Sequence, residues 1–292
     1  MDYKRKWDGW QKKGGKRDGD DRSFSHSAGK RDSSREEASS PISDNFVYGR
    51  NAVKELLGSG RDIEKIYVQS GEREGSINLL IGMASERKIP IIEYDKQKLD
   101  KMCAGARHQG IIASAAEHNY STVEQILAYA EERGEKPFIV ILDGVEDPHN
   151  LGAIIRSAEC CGVHGIIIPK RRAVGLTATV AKASAGAIEH MRVAKVTNIP
   201  TVIDELKEKG LWIYGADMDG QTLYSTDLCG SSAIVMGSEG FGISRLVKEK
   251  CDFIVSIPLY GAVNSMNVSC AAAIILAEAA RQKNSGKAGN TP

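Results

Sequence analysis

The 292-residue chain is predicted to be an α/β protein: a mostly parallel sheet with helices on both faces, preceded by a smaller α/β unit. Three observations predict this. From Lys136 onward, short β-branched runs alternate with stretches of helical length, the pattern of successive βαβ units. Runs such as FIVIL (138–142), AIVM (233–236) and FIVSI (253–257) are apolar almost throughout, as expected of strands covered on both faces. Each of these runs then gives way abruptly to an island of small, amide and charged residues: DPHNLGAIIR (147–156), GSEGFGIS (237–244) and PLYGAVNSMNVS (258–269). Loops at the carboxyl ends of strands build the site in such sheets. The three islands therefore read as one composite pocket.

The elements follow in order. Residues 1–44 are Lys, Arg, Asp, Gly and Ser with almost no aliphatics, too little apolar surface to offset the entropy of ordering, and are expected to be a disordered basic/polar tail. Residues 45–118 form the small α/β unit: helix 53–57, strand 63–68, helix 77–86, strand 89–94, helix 97–102 and, after the turn 105–110, strand 111–115. Residues 119–136 are a linker or an added helix of the next domain. There Ser121 and Glu124 have capping-box spacing ahead of an amphipathic helix 123–132 that Gly134 ends. Residues 137–285 form the second domain. Its strands are expected at 138–142, 165–168, 191–196, 212–216, 233–236 and 253–257, and its helices at 151–161, 178–188, 201–209 and 268–282. Residues 286–292 are expected to be a flexible C-terminus.

Charge is unevenly spread. Residues 1–44 carry 11 Lys+Arg and 9 Asp+Glu of totals 39 and 38, which leaves 28 and 29 for the remainder, so the body is not basic. RNA binding would then need local positive charge. The first 17 residues interleave seven basic residues with Trp7 and Trp10, suited either to RNA phosphates and bases or simply to solvation. The six cysteines form no CxxC pair and no disulfide spacing, as for reduced thiols, and no apolar run is long enough to span a bilayer. Cytoplasm is the expected compartment, with no membrane partner.

The usual chemical signatures are missing. There is no G-x-x-x-x-G-K-[ST] and no G-x-G-x-x-G; Gly237, Gly240 and Gly242 carry that spacing reversed. The histidines show no ligand pair, so no metal is expected. No nucleophile elbow or catalytic cysteine setting occurs. What remains is catalysis by positioning and electrostatics, beside an adenosine-like ligand held through main-chain groups. Asn150 is placed as the N-cap of the helix that follows it, and Asn267 as a cap of the last helix. Both have a capping role as the plain alternative. Arg156 and Glu239 have a surface ion pair as theirs. Ser265 and Asn267 alternate, so an extended segment would point both the same way.

At these residues the chain resembles the SpoU/TrmH family of RNA ribose 2′-O-methyltransferases, of the SPOUT superfamily. The resemblance rests on DGVEDPHNLGAIIR (143–156), IVMGSEGFG (234–242) and IPLYGAVNSMNVSCAAA (257–273) in that order, with KASAGAIEH (182–190) between, and covers roughly residues 45–285. It implies S-adenosylmethionine as methyl donor, a homodimer and a deep trefoil knot in the C-terminal domain. It also implies that residues 45–118 are a ribosomal-protein-like unit that binds the RNA substrate. By the same resemblance Asn150, Arg156, Glu239, Ser265 and Asn267 form the catalytic group. Gly237, Ile257 and Met266 line the cofactor, with Met236, Gly242 and Leu259 beside them. Met266 stands where Leu is more usual in the family. Guanidinium stays protonated, so Arg156 is read as a fork for a phosphate and for developing alkoxide charge, not as a base. The two-domain layout is most similar to methyltransferases of guanosine in 23S rRNA. A tRNA target, an rRNA adenosine target, or a non-catalytic RNA-binding protein are the alternatives.

Overall fold

The structure is a computed structural model and describes residues 45–71 and 75–285. The expectations for the tail 1–44 and the end 286–292 fall outside the described residues.

The first part is a four-stranded sheet. Its strands are β1 (Phe46–Tyr48), β2 (Ile63–Gln69), β3 (Ile91–Tyr94) and β4 (Ile111–Ala115), in the order β1-β4-β2-β3. Strand β4 is antiparallel to both neighbours, and β2 and β3 are parallel. Helices α1 (Arg50–Ser59) and α2 (Ile77–Glu86) cover one face, where Val53, Leu56 and Leu80 meet Ile66, Val68 and Ile111. Helix α3 (Lys96–Met102) covers the other through Leu99. Strand β1 escaped the sequence reading because three residues are too short to show a period. Helix α1 starts earlier than expected because the positive φ of Gly49, at 99°, turns the chain directly into Arg50.

The second part is a six-stranded, wholly parallel sheet. Its strands are β5 (Phe138–Asp143), β6 (Gly165–Pro169), β7 (Arg192–Val196), β8 (Trp212–Thr222), β9 (Ser232–Gly237) and β10 (Phe253–Ser256), in the order β10-β8-β9-β5-β6-β7. The helices α5 (Pro148–Cys160), α6 (Ala178–Ala183) and α9 (Val268–Asn284) lie on one face, with Leu151, Ile154, Ile275 and Leu276 against Phe138, Val140 and Leu142. The helices α4 (Val123–Glu132), α7 (Ile199–Glu208) and α8 (Arg245–Lys250) lie on the other, with Ile126, Ile203 and Val247 against Ile139 and Ile141. Successive residues of β5 thus enter opposite cores, which is why its sequence is apolar without alternation.

Several expectations shift. Helix α4 is part of the second core: Gly165 has no room for a side chain because Ile126 atoms would lie 2.6 Å from its Cβ. Its capping box is Thr122 with Gln125, one residue later than the Ser121/Glu124 reading. The N-cap of α5 is Asp147, whose carboxylate accepts from His149 N at 2.9 Å; Asn150 sits inside the first turn. The helix expected over 178–188 stops at Ala183, where Ala185 and Gly186 take positive φ. Strand β8 runs six residues further than expected, and α8 was not anticipated because its six residues are largely exposed.

The two sheets dock through α6 and the short 3-10 helix Ala187–Glu189. The carboxylate of Glu189 is buried (2% exposed) between Arg61 Nη1 at 3.0 Å and His118 Nε2 at 3.1 Å. Burial opposes its ionisation, but the neighbouring His118 and Arg61 outweigh it, and the group lies below the usual glutamate value of 4.5. A carboxylate so depressed contributes stability above its unfolded value and loses it as the pH falls through the folded one. Glu189→Gln should therefore lower stability by about 1–3 kcal/mol at pH 7, with the gap to wild type closing as the pH drops below 4.5. Thermal melts across that range check it.

Candidate active site

Strand β5 lies at the centre of the chain's path. The chain first goes from it to β6 and β7 on one side, then crosses to β8, β9 and β10 on the other. A crevice opens at such a switch point. Here it lies outside the ends of β5 and β9, where Asp143 pairs in register with Gly237.

Three loops fill it. After β5, Gly144 at φ 90° turns the chain toward Asp147 and α5, and the first turn brings in Asn150, which is 6% exposed. After β9, the loop folds back on itself: Ser238 N donates to Gly242 O at 3.0 Å and Gly242 N to Ser238 O at 2.9 Å. This closure requires glycine at 237, since a Cβ there would stand 2.0 Å from the carbonyl carbon of Gly242. The far end of the loop is tied to β5, with Ser244 N donating to Asp143 Oδ2 at 2.8 Å. After β10, the chain returns across the strand ends to Asn267, the N-cap of α9.

The side chains of the three loops form a closed triangle. Asn150 Nδ2 donates to Glu239 Oε1 at 2.9 Å, Asn267 Nδ2 donates to the same oxygen at 2.6 Å, and Asn267 Nδ2 also donates to Asn150 Oδ1 at 3.0 Å. The other end of the Asn267 amide accepts from Ser269 N at 2.9 Å, Cys270 N at 3.3 Å and Ser269 Oγ at 2.6 Å. Asn267 therefore caps its helix and cross-links the loops at once. Glu239 does not pair with Arg156, and its Oε2 has no hydrogen-bond partner among the described residues.

Two clefts meet at this triangle. One, of about 440 Å³, has an apolar floor of Met236, Ile257, Leu259 and Met266, and Gly237, Gly242, Ser265 and Glu239 also line it. The other, of about 850 Å³, runs past Asp143, Asn150, Arg171, Arg172, Asn198 and Glu239. Residues 238–242 are the wall between them. Ser265 thus stands in the smaller cleft and makes no hydrogen bond to the triangle among the described residues. Arg156 is exposed on α5, lines neither cleft and has no ion pair among the described residues.

Sequence reasoning missed Asp143, the Arg171/Arg172 pair and Asp217. The run Lys170–Arg172 behind a strand was a visible charge signal; Asp143 and Asp217 gave none. Asp217 lines the smaller cleft and meets Lys248 Nζ at 2.8 Å. Burial works against its charge, but the bond to Lys248 prevails and holds it below the usual aspartate range. Burial pushes the Cys251 thiol up to about 12, so it stays protonated. Among the described residues no group of His, Cys, Asp and Glu is arranged to hold a metal ion, and no helix is long and apolar enough to cross a membrane.

Comparison with known proteins places this geometry. Residues 137–277 match the SpoU rRNA methylase family, and residues 46–121 match the RNA 2′-O ribose methyltransferase substrate-binding family. YacO of Bacillus subtilis (strain 168), assigned by name to the TrmH family of tRNA/rRNA methyltransferases, is 46% identical over 240 residues, 82% of this chain and 96% of YacO. A similarly named protein of Staphylococcus haemolyticus (strain JCSC1435) is 48% identical over 245 residues, 83% of this chain and 98% of that one. This chain belongs to the SpoU/TrmH family of RNA methyltransferases. It is accordingly an S-adenosylmethionine-dependent enzyme, as the sequence resemblance implied. The fold is shared with the SpoU methyltransferase AviRb of Streptomyces viridochromogenes, solved with its cofactor AdoMet (TM-score 0.70, 22% identity, 82% of this chain and 91% of AviRb). It is shared as well with an AdoMet-bound rRNA methyltransferase of Sinorhizobium meliloti (TM-score 0.67, 21% identity, 81% and 86%).

The triangle has a direct test. Asn267→Asp keeps the oxygen that caps α9 but turns the amide donor into a second carboxylate facing Glu239. The variant should be less stable than wild type by about 1–3 kcal/mol at pH 7. The deficit should shrink on acidification, as one of the two carboxylates takes up a proton. Melting temperatures from pH 7 to pH 5 read this out.

Proposed function

We propose that this family member methylates the ribose 2′-OH of a guanosine in 23S rRNA, with the triangle of Asn150, Glu239 and Asn267 holding the reacting ribose. The position of that triangle, at the wall between an apolar cleft and a larger polar one, carries the reading. The smaller cleft suits S-adenosylmethionine. Its size falls in the range of small-ligand sites, Met236, Ile257, Leu259 and Met266 offer an apolar bed, and Gly242 leaves the main chain bare. When bound, that molecule supplies a methyl group already activated on a sulfonium. The triangle orients the 2′-oxygen for in-line attack. The unpartnered Oε2 of Glu239 takes or relays the hydroxyl proton, and Ser265 hydrogen-bonds beside it from the cofactor side. Arg171 and Arg172 meet the phosphates along the larger cleft.

In this reading residues 45–118 hold the RNA substrate, 137–285 perform the transfer, and 119–136 join them. The match of residues 46–121 to a substrate-binding family supports the first assignment. Ribosomal RNA is favoured because the second domain matches the SpoU rRNA methylases and the chain keeps the two-domain layout. The trefoil knot belongs to the same proposal. It is supported by the return of the chain from the edge strand β10, over the strand ends, to α9 packed on α5.

Arg156 completes the site of a second copy. Its exposure on α5 and its absence from the lining of both clefts of its own chain support this, and it makes the enzyme a homodimer. There it holds the phosphate beside the ribose and stabilises the developing alkoxide.

Incubation with labelled S-adenosylmethionine and total RNA from a strain lacking the gene should label 23S rRNA, with alkali-resistant ribose methylation at one guanosine. Label in tRNA instead would overturn the rRNA assignment, and no label in either would overturn the enzymatic one. Arg156→Lys should lose about 10²-fold or more in rate while S-adenosylmethionine binds as to wild type. Co-expressed Arg156→Lys and Asn267→Ala chains should recover about a quarter of wild-type activity, since half the dimers then hold one intact composite site. No recovery would place Arg156 in its own chain's site.

A further inference from the structure

Phe241 is 96% exposed at the tip of the loop after β9. An isolated exposed side chain means little, but this one is presented. The loop carrying it is closed by two backbone hydrogen bonds and by the tight approach of Gly237 to Gly242, and it is anchored to Asp143. Glycines flank the ring, and nothing lies within 4 Å of where a side chain at either would start. The ring is therefore held out by a fixed frame, with its faces open. It lines both clefts, two residues from Glu239. The floor of the smaller cleft is apolar without it, including Met236 at 3% exposure, so the ring is not needed to bury a ligand there. On its other side lies the larger cleft, with Arg171, Arg172 and the half-exposed Leu246.

We propose that Phe241 is the platform on which a base of the RNA stacks, at the target nucleotide, so that its ribose is set against the triangle. The inference rests on the RNA methyltransferase reading above and adds the residue that grips the nucleotide. An aromatic face accepts any base and needs no hydrogen-bond match, so Phe241 fixes position while base identity is read elsewhere. Because the loop is already ordered, stacking loses little conformational entropy. Tyr260 is equally exposed, at 97%, but lines neither cleft and takes no such role.

The test uses the full chain and whichever RNA pool, ribosomal or transfer, the wild-type protein labels. Phe241→Ala should raise KM for that RNA by about 5- to 100-fold, with S-adenosylmethionine affinity unchanged by calorimetry. Phe241→Trp should restore most of the loss, and its added indole emission, taken against wild type, should be quenched by RNA and not by S-adenosylmethionine. Tyr224→Ala, which removes another exposed aromatic (62%) outside both clefts, should behave as wild type. A wild-type KM in Phe241→Ala would overturn the proposal. So would an equal loss of S-adenosylmethionine affinity, which would make the ring a cofactor wall, or a smaller species in sedimentation, which would make it a contact between copies. If wild-type protein labels neither pool, the enzymatic reading fails separately, and quenching of Phe241→Trp by the same RNA still decides the platform.

Discussion

One amide side chain, that of Asn267, holds the site together. Its oxygen satisfies two backbone donors at the start of α9, and its nitrogen reaches the residues that arrive from β5 and β9. A helix N-terminus needs acceptors, and an ionised carboxylate needs donors. Asn is the residue that offers both within its own length. Substituting Ser or Asp would keep the cap and lose the bridge, and three loops that share few other contacts would no longer define one surface.

The sheet prepares this meeting. Strand β5 sits between β6 and β9 with both neighbours parallel, so all their carboxyl ends emerge on one side. Packing then fixes the loops more tightly than their polar sequences suggest. Gly237 faces the Gly242 backbone, and Gly152 faces Ala183 on α6 with no space for a methyl group. Helix α6 in turn carries Lys182, which lies over the Tyr48 ring at 4.5 Å and donates to Arg107 O. The four-stranded sheet is thus secured to the same helix layer that supports the site.

Much of this was legible in the sequence because burial writes itself into composition. The apolar runs 138–142 and 233–236 gave strands covered on both sides, and the three polar islands meet at the strand ends as one surface. The helices Ile77–Glu86 and Lys96–Met102 and the strand Ile111–Ala115 followed from local periodicity. What failed was capping. Asp147 and Asn150 are both good caps, and only the fold decides that Asp147 takes the task while Asn150 turns inward. Arg156 was grouped with the other four by family resemblance, and it shares a motif only with Asn150. A helix, however, carries side chains round its axis, and six residues on it faces elsewhere. Ser265 alternates with Asn267, yet it lines the smaller cleft without a hydrogen bond to the triangle among the described residues, while Asn267 caps α9. Strand order was not legible at all, since crossing from β7 to β8 leaves no local mark.

The bridge made by Asn267 also has a temporal side. Its partner Asn150 is 117 residues earlier in the chain, and its other duty is to begin the last described helix. During synthesis the sheet around β5 to β7 can be complete while this corner is still missing. The hydrogen-bonded triangle cannot close until the chain has been made into α9. The triangle is thus a late product of synthesis, although the helix that carries its first corner is made more than a hundred residues earlier.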